Sequence, residues 1–380
     1  MDTISDYIQW MSDYPCLLTG FHEPDAVLLS LLSYIDYAPV IRDIGESFRL
    51  RAAVPYTEND GLPVMITGVG KNYNEILRLA AQSVRYGNMI LENYLDLQRD
   101  DPPLQFSAVC FKDEAFSFIA FRGTDSSLAG WKEDFMISFT RTEAQKLALK
   151  YAQNHITPGQ HWYMGGHSKG GNELLYAASL LSEEQWNLVD RIFLLDGPGL
   201  CPEVMDLEVM KRLDGKTTRI IPEFSVVGKL FEPQITDSRI LRSTATGILQ
   251  HDPSTWGIDH GKLAVTAEND HTSRWISETL DQWVRGITQE ERPVFVNELF
   301  AALSAGGAVN LEDFNMEKLR AAMKHSGSFS EITRNTISDL PKQAFRTGFE
   351  QLRQRVEGSV QDLENKIKKP ESESADTIAQ

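Results

Sequence analysis

Cysteine is scarce in this chain: Cys16, Cys110 and Cys201 are the three in 380 residues. They are too few and too scattered for a disulfide framework or a thiolate zinc site. Positive charge is short as well. Lys and Arg total 37 against 54 Asp and Glu, a net charge of −17 with His neutral. That balance argues against binding nucleic acid or an anionic membrane through bulk electrostatics. No run approaches the ~18 consecutive apolar residues of a membrane-spanning helix, so no integral membrane segment is expected. The opening MDTISDYIQW is acidic and lacks the basic-then-apolar pattern of a secretory leader. A cytoplasmic protein is the expectation. There is no H-E-x-x-H, no pair of C-x-x-C, and the stretch Gly68-Val69-Gly70-Lys71 lacks phosphate-loop spacing. Nothing here calls for a metal or a cofactor.

What the chain does have is core material, with 42% hydrophobic and 9% aromatic residues. Residues 1 to about 100 read as mostly helical. Glu23-Pro24-Asp25 is a helix start ahead of Ala26-Val27-Leu28-Leu29. Between 74 and 98, Ile76, Leu79, Ala80, Val84, Ile90, Leu91 and Leu95 fall near helical spacing. The runs LQFSAVCF (104–111) and AFSFIAF (115–121), split by Lys112-Asp113-Glu114, then predict a β-hairpin. Beyond it the pattern alternates. Helices are predicted near 142–156, 171–182, 202–212 and 271–286, and strands near 161–164, 191–195 and 218–221. Such alternation predicts an α/β fold with a largely parallel sheet. The expected organisation is an α/β domain over 1–288, a charged helical extension over 289–367 and a disordered tail over 368–380.

The strongest local motif is Gly166-His167-Ser168-Lys169-Gly170, a G-x-S-x-G between the β-like HWYM and the helix-like NELLYAASLL. Alone it reads equally as a glycine-rich turn packing a helix on a strand. In this context it fits a nucleophile elbow, a strained strand-to-helix turn that lifts a serine hydroxyl above the sheet. Gly166 and Gly170 are the small residues such a turn demands. The Lys169 N–H, at the helix start, is a natural oxyanion donor.

Upstream lies Phe121-Arg122-Gly123-Thr124, followed by Trp131 and Asp134. With the elbow, this set resembles the class 3 lipase branch of the α/β-hydrolases over roughly residues 100 to 255. The stretches Phe21-His22-Glu23-Pro24-Asp25, Leu32-Ser33-Tyr34-Ile35-Asp36 and Asp196-Gly197-Pro198-Gly199 narrow it. Over about residues 5 to 270 the chain resembles a largely uncharacterised bacterial family of lipase-like hydrolases. The resemblance implies an α/β-hydrolase fold, a hydrophobic or lipid ester as substrate, and Thr124 as the second oxyanion donor. Arg122 and Asp134 are expected as a structural ion pair that pins the loop. The large aromatics Tyr34, Tyr37 and Trp131 are read as core more than pocket lining.

A serine needs a base, and the base needs a carboxylate to orient it. In this fold the chain order is Ser, acid, His. Of His251, His260 and His271, His251 fits best, in the loop Leu249-Gln250-His251-Asp252-Pro253, and it matches the family's His-Asp motif. His325 falls in the helical extension. The resemblance places the acid after Arg219-Ile220-Ile221, but Ser225 stands there, with the imidazole as its expected partner. Asp196, at the end of the strand RIFLL, is the leading substitute, since carboxyl ends of parallel strands line the active crevice. Glu223 is the runner-up. Asp252 is too near His251 in sequence to orient it.

The expected function is hydrolysis of a small-molecule or lipid ester. Ser168 would be the nucleophile, His251 the base, Asp196 the acid, and Thr124 and Lys169 the oxyanion donors. The alternative is an inactive α/β-hydrolase-fold binding protein, favoured by the missing Asp at 225. A lipid-surface protein using its C-terminal helices is a third and weaker reading. Oligomeric state is not legible.

Overall fold

The computed structural model describes residues 1–41, 45–57, 73–99, 101, 104–124, 141–200 and 207–267, and beyond them 288, 291, 294, 297, 298 and 330. Its centre is a nine-stranded sheet. In chain order the strands are β1 (Ser47–Arg49), β2 (Ile90–Arg99), β3 (Leu104–Lys112), β4 (Ser117–Phe121), β5 (Trp162–His167), β6 (Val189–Leu195), β7 (Thr217–Pro222) and β8 (Ser238–Leu241). A two-residue hairpin follows, β9 (Ile258–Asp259) with β10 (Lys262–Leu263), and then β11 (Val265–Thr266). The sheet order is β1-β2-β3-β4-β5-β6-β7-β8-β11. β1 to β4 pair antiparallel, β4 to β8 parallel, and β11 closes the far edge antiparallel to β8. This is an α/β fold with a largely parallel centre.

Helices cover both faces, as a sheet buried on both sides requires. One face carries α1 (Ile4–Met11), α2 (Cys16–Thr19), α3 (Glu23–Leu32), α4 (Tyr73–Gln82) and α5 (Val84–Gly87). The other carries α6 (Glu143–His155) and α7 (Lys169–Ser179), followed in the chain by α8 (Glu183–Leu188) and α9 (Leu207–Asp214). Two buried clusters result. One joins α1, α3 and α4 to Phe118, Ala120 and Phe193, and the other joins α6 and α7 to Ile119, Phe121 and Leu194. Alternate residues of β4 thus point into opposite cores.

α3 is buried from Pro24 to Leu32 because it lies across the sheet near its middle. Its start is fixed by Asp25, which accepts from the His22 N–H at 2.7 Å. The same carboxylate receives Arg85, Tyr7 and Tyr86, with Arg85 and Asp25 side chains both fully buried. One buried carboxylate thus ties α1, α3 and α5 together. α6 starts on a reciprocal cap between Thr142 and Gln145, and Gln145 Nε2 then donates to Asn172 Oδ1 of α7 at 2.7 Å. Asn172 Nδ2 in turn donates to the Gly199 carbonyl at 2.8 Å.

The predicted hairpin 104–121 and the alternation after it correspond to β3–β4, α6, β5, α7, β6, α9 and β7. The N-terminal part needs correction. The stretch 74–98 is not one helix: α4 ends at Gln82, α5 at Gly87, and 90–99 is strand β2. The short edge strands β1 and β11, and β8 next to the far edge, were not expected. Arg122 makes a two-pronged ion pair with Asp96 of β2, at 2.9 Å for each bond, and Asp134 lies outside the described residues. Also outside them are Trp131, Cys201, the helix expected at 271–286 with His271, His325, nearly all of 289–367, and the tail 368–380. Among the described residues no helix is long and apolar enough to cross a membrane.

Candidate active site

The site is assembled at the carboxyl ends of β4, β5, β6 and β7. Parallel register sets neighbouring strand ends side by side, and the ladder runs on past the strands. The Ser168 N–H donates to the Leu195 carbonyl at 3.0 Å, and the Asp196 N–H to the Ile220 carbonyl at 2.8 Å. Ser168 and Asp196 therefore stand on adjacent strand ends. Both are among the few non-glycine residues with positive φ, at 57° and 41°. Such a conformation is disfavoured for a side chain-bearing residue and persists where the surroundings enforce it.

The surroundings at Ser168 are glycine. A Cβ on Gly166 would lie 2.2 Å from the Gly170 carbonyl oxygen, and one on Gly170 2.2 Å from that of Phe121. The turn from β5 into α7 closes because neither position has a side chain. Ser168 is the N-cap of α7, so the Lys169 N–H opens the helix beside the hydroxyl. The Lys169 side chain is directed away, buried against the Gln105 carbonyl and 3.1 Å from Glu173 Oε1. Gly123, just ahead of Thr124, is in the same cluster. A Cβ there would lie 2.9 Å from Ser168 Cβ and 2.7 Å from the His167 carbonyl oxygen. The structure thus brings the end of β4 against the elbow, with Thr124 9% exposed next to it.

His251 ends a 3-10 turn (Gly247–His251). Its Nδ1 is 2.7 Å from Asp196 Oδ2, and Asp196 is 1% exposed. The other carboxylate oxygen, Oδ1, accepts from Ser225 Oγ at 2.5 Å. Ser225 therefore bonds the carboxylate and not the imidazole as expected. Gly228 allows this arrangement, since a Cβ there would meet Asp196 Oδ1 at 2.3 Å. Among the described residues Ser168 Oγ has no hydrogen-bond partner, and catalytic hydrogen bonds are often unformed without substrate.

The loop bearing His251 is held at successive residues. Trp256 Nε1 donates to the Gln250 carbonyl at 2.8 Å, and Gln250 Oε1 accepts from the Phe224 N–H at 2.8 Å. His167 Nε2 is 2.8 Å from the His251 carbonyl, and His167 Nδ1 is 2.7 Å from Tyr34 Oη. Burial holds the His167 pKa well below the usual histidine value, and the nearby His251 pushes it further down. Asp252 accepts from Tyr73 Oη at 3.0 Å and from the Ser254 N–H at 2.9 Å. Burial raises the Asp252 pKa and pushes that of Tyr73 up strongly. Asp252 thus anchors the loop to α4.

Of the other residues named from sequence, His260 is 95% exposed on the β9–β10 turn and pairs with Asp259 at 2.6 Å. The Glu223 N–H donates to the Leu241 carbonyl, and among the described residues the carboxylate that bonds or pairs with His251 is that of Asp196. Tyr34 and Tyr37 are buried, as core aromatics would be. Two contributors escaped the sequence reading: His167, which looked like the variable position of the motif, and the hydroxyl of Tyr34. Among the described residues no group of three His, Cys, Asp or Glu side chains is placed to hold a metal ion.

A mixed sheet of this order, with a strained serine between its fifth strand and the following helix, is the arrangement of the α/β-hydrolase class. The particular family follows from the sequence: the model of the Mbeg1-like family matches residues 80–301, and the chain belongs to that family. No curated protein matches the chain. Among solved structures it is similar to M37 lipase, at 16% identity and a TM-score of 0.30, over 55% of this chain and 70% of that one. It is also similar to Lip2 lipase from Yarrowia lipolytica, at 13% identity and a TM-score of 0.34, over 61% of this chain and 93% of that one.

Proposed function

We propose that this protein is a serine hydrolase of carboxylic esters, with Ser168 as nucleophile, His251 as general base and Asp196 as the orienting acid. The observation that carries the reading is the 2.7 Å contact of His251 Nδ1 with Asp196 Oδ2, beside a serine held at φ 57°. A carboxylate facing Nδ1 accepts its hydrogen bond and keeps the hydrogen on that nitrogen, which leaves Nε2 bare to take the proton of Ser168.

In this reading Ser168 Oγ attacks the ester carbonyl while His251 Nε2 removes its proton. The N–H groups of Lys169 and Thr124 receive the oxyanion. Collapse expels the alcohol, protonated by His251, and leaves an acyl-serine. Water, deprotonated by His251, attacks the acyl carbon, and the carboxylic acid departs as the proton returns to Ser168. Asp196 replaces the Asp that the class 3 pattern puts at position 225, and Ser225 supports it from that position. A small-molecule or lipid ester is the proposed substrate. The free, buried thiols of Cys16 and Cys110 suit a reducing compartment, so the cytoplasm is the proposed location.

The test is hydrolysis of p-nitrophenyl esters from acetate to palmitate by the wild type and by Ser168→Ala. The proposal expects turnover that the substitution removes. Equal rates in the two proteins, or no turnover of any ester with and without detergent micelles, would instead support the non-catalytic binding protein.

A further inference from the structure

We infer that His167 is a positioning residue for His251, held in place by Tyr34, so that the site contains a second imidazole that supports the first. The inference rests on the assignment of His251 as the base. Its ground is a continuous chain of contacts. Tyr34 Oη is 2.7 Å from His167 Nδ1, and His167 Nε2 is 2.8 Å from the His251 carbonyl. The two imidazole centroids are 4.6 Å apart.

The chemistry fixes every proton in the chain. A carbonyl only accepts, so His167 Nε2 carries the hydrogen and donates it. His167 Nδ1 is then a bare acceptor, and Tyr34 donates to it. At His251 the acceptor is Asp196, so the hydrogen sits on Nδ1. The two rings therefore have opposite tautomers, each set by an oxygen. His167 holds the backbone of the base and Asp196 holds its ring.

The placement comes from the sheet and from α3. Tyr163, Gly165 and His167 alternate along β5 and share the face toward α3. A Cβ on Gly165 would lie 2.6 Å from Ser30 Oγ, which shows how closely α3 lies on this strand. Tyr34, just past the end of α3, meets His167 there. Its hydroxyl also abuts the end of β4, since a Cβ on Gly123 would be 2.2 Å from Tyr34 Oη. One hydroxyl thus braces both the imidazole behind the base and the strand that leads to Thr124. A purely space-filling residue at 167 would need neither nitrogen. Here both are engaged, on a side chain 1% exposed.

The experiment compares kcat and KM on one p-nitrophenyl ester for wild type, His167→Leu, His167→Gln and Tyr34→Phe. Melting curves confirm that each variant is folded. Displacing a catalytic group by about 1 Å costs on the order of 10²-fold. His167→Leu is therefore expected to lower kcat roughly 10- to 100-fold with KM within about twofold. Gln can present an N–H to the same carbonyl and is expected to recover much of that loss. Tyr34→Phe keeps the ring and is expected to lower kcat by about threefold to tenfold, one hydrogen bond's worth. A folded His167→Leu with wild-type kcat, or a Gln variant no better than Leu, overturns the inference. If Leu at 167 prevents folding, wild-type kcat in Tyr34→Phe overturns it. A wild type without Ser168-dependent turnover overturns the proposed function itself, a result distinct from these.

Discussion

Replacing Asp196 with Asn tests where the acid of this site stands. The carboxylate has two engagements: Oδ2 with His251 Nδ1 at 2.7 Å and Oδ1 with Ser225 Oγ at 2.5 Å. An amide has one oxygen to offer. If the Asn NH2 faces the ring, His251 must bare Nδ1 and carry its hydrogen on Nε2, the nitrogen that should receive the serine proton. If the Asn oxygen faces the ring, the tautomer survives, but no negative charge balances the imidazolium formed during reaction. Loss of the orienting carboxylate in a serine triad lowers kcat by roughly 10⁴-fold, which is about 5.5 kcal/mol of transition-state stabilisation. We expect a fall of roughly 10³- to 10⁴-fold in kcat for Asp196→Asn, with KM little changed. Ser225→Ala removes only the hydrogen bond to the second oxygen, and about a tenfold fall is expected. Asp252→Asn adjoins the base in sequence but touches Tyr73 and the Ser254 N–H, and a loss below about tenfold is expected. The assay is steady-state ester hydrolysis, with each variant's fold checked by circular dichroism. An Asp196→Asn rate within about threefold of wild type would refute the assignment, most plainly if Asp252→Asn were the damaging change.

Further expectations concern stability. Gly123→Ala would drive a Cβ to 2.2 Å from Tyr34 Oη and 2.7 Å from the His167 carbonyl, so a Tm lowered by several degrees together with lost ester turnover is expected, read by thermal melts and rate. Asp25→Ala leaves the fully buried Arg85 guanidinium without its carboxylate, and about 3–5 kcal/mol of unfolding free energy should be lost in urea titration. His167 is held neutral by burial, with its pKa well below that of the unfolded chain. The unfolded state then binds the extra proton once the pH drops below about 6.5. Stability from this residue is complete above that pH and should fall, by up to about 1.4 kcal/mol per pH unit, as the pH is lowered toward the folded pKa. Urea titrations at pH 7, 6 and 5 should show a shallower fall in His167→Gln than in wild type.

The parts of this protein that were legible in its sequence are those written in local chemistry. Gly166 and Gly170 flank Ser168 because the turn has room for no side chain, and that requirement shows within five consecutive positions. Asp196 was legible because it closes the apolar run RIFLL just before Gly197-Pro198-Gly199. β2 was misread for a physical reason. Its register shifts between Glu92 and Leu95, and Asn93 takes φ 57°, so the apolar residues lose the two-residue alternation that marks a strand. Ile90, Leu91 and Leu95 then fall near a helical spacing that continues from α4. The Arg122–Asp96 pair was not foreseen because Asp96 reaches Arg122 across the sheet from β2, a strand not recognised as one. The Tyr34–His167 contact spans 133 residues, and no local pattern encodes a pairing that depends on α3 lying over β5. The partner of Ser225 was likewise set by a neighbouring strand end.

The most direct measurement is reaction with a fluorophosphonate probe, followed by peptide mass spectrometry, for wild type and Ser168→Ala. The account predicts one phosphonylated site in the wild type, on the peptide containing Gly166-His167-Ser168-Lys169, and none in the variant. Equal modification of both proteins, or an unreactive wild type in buffer and in detergent micelles alike, would contradict an activated serine at 168.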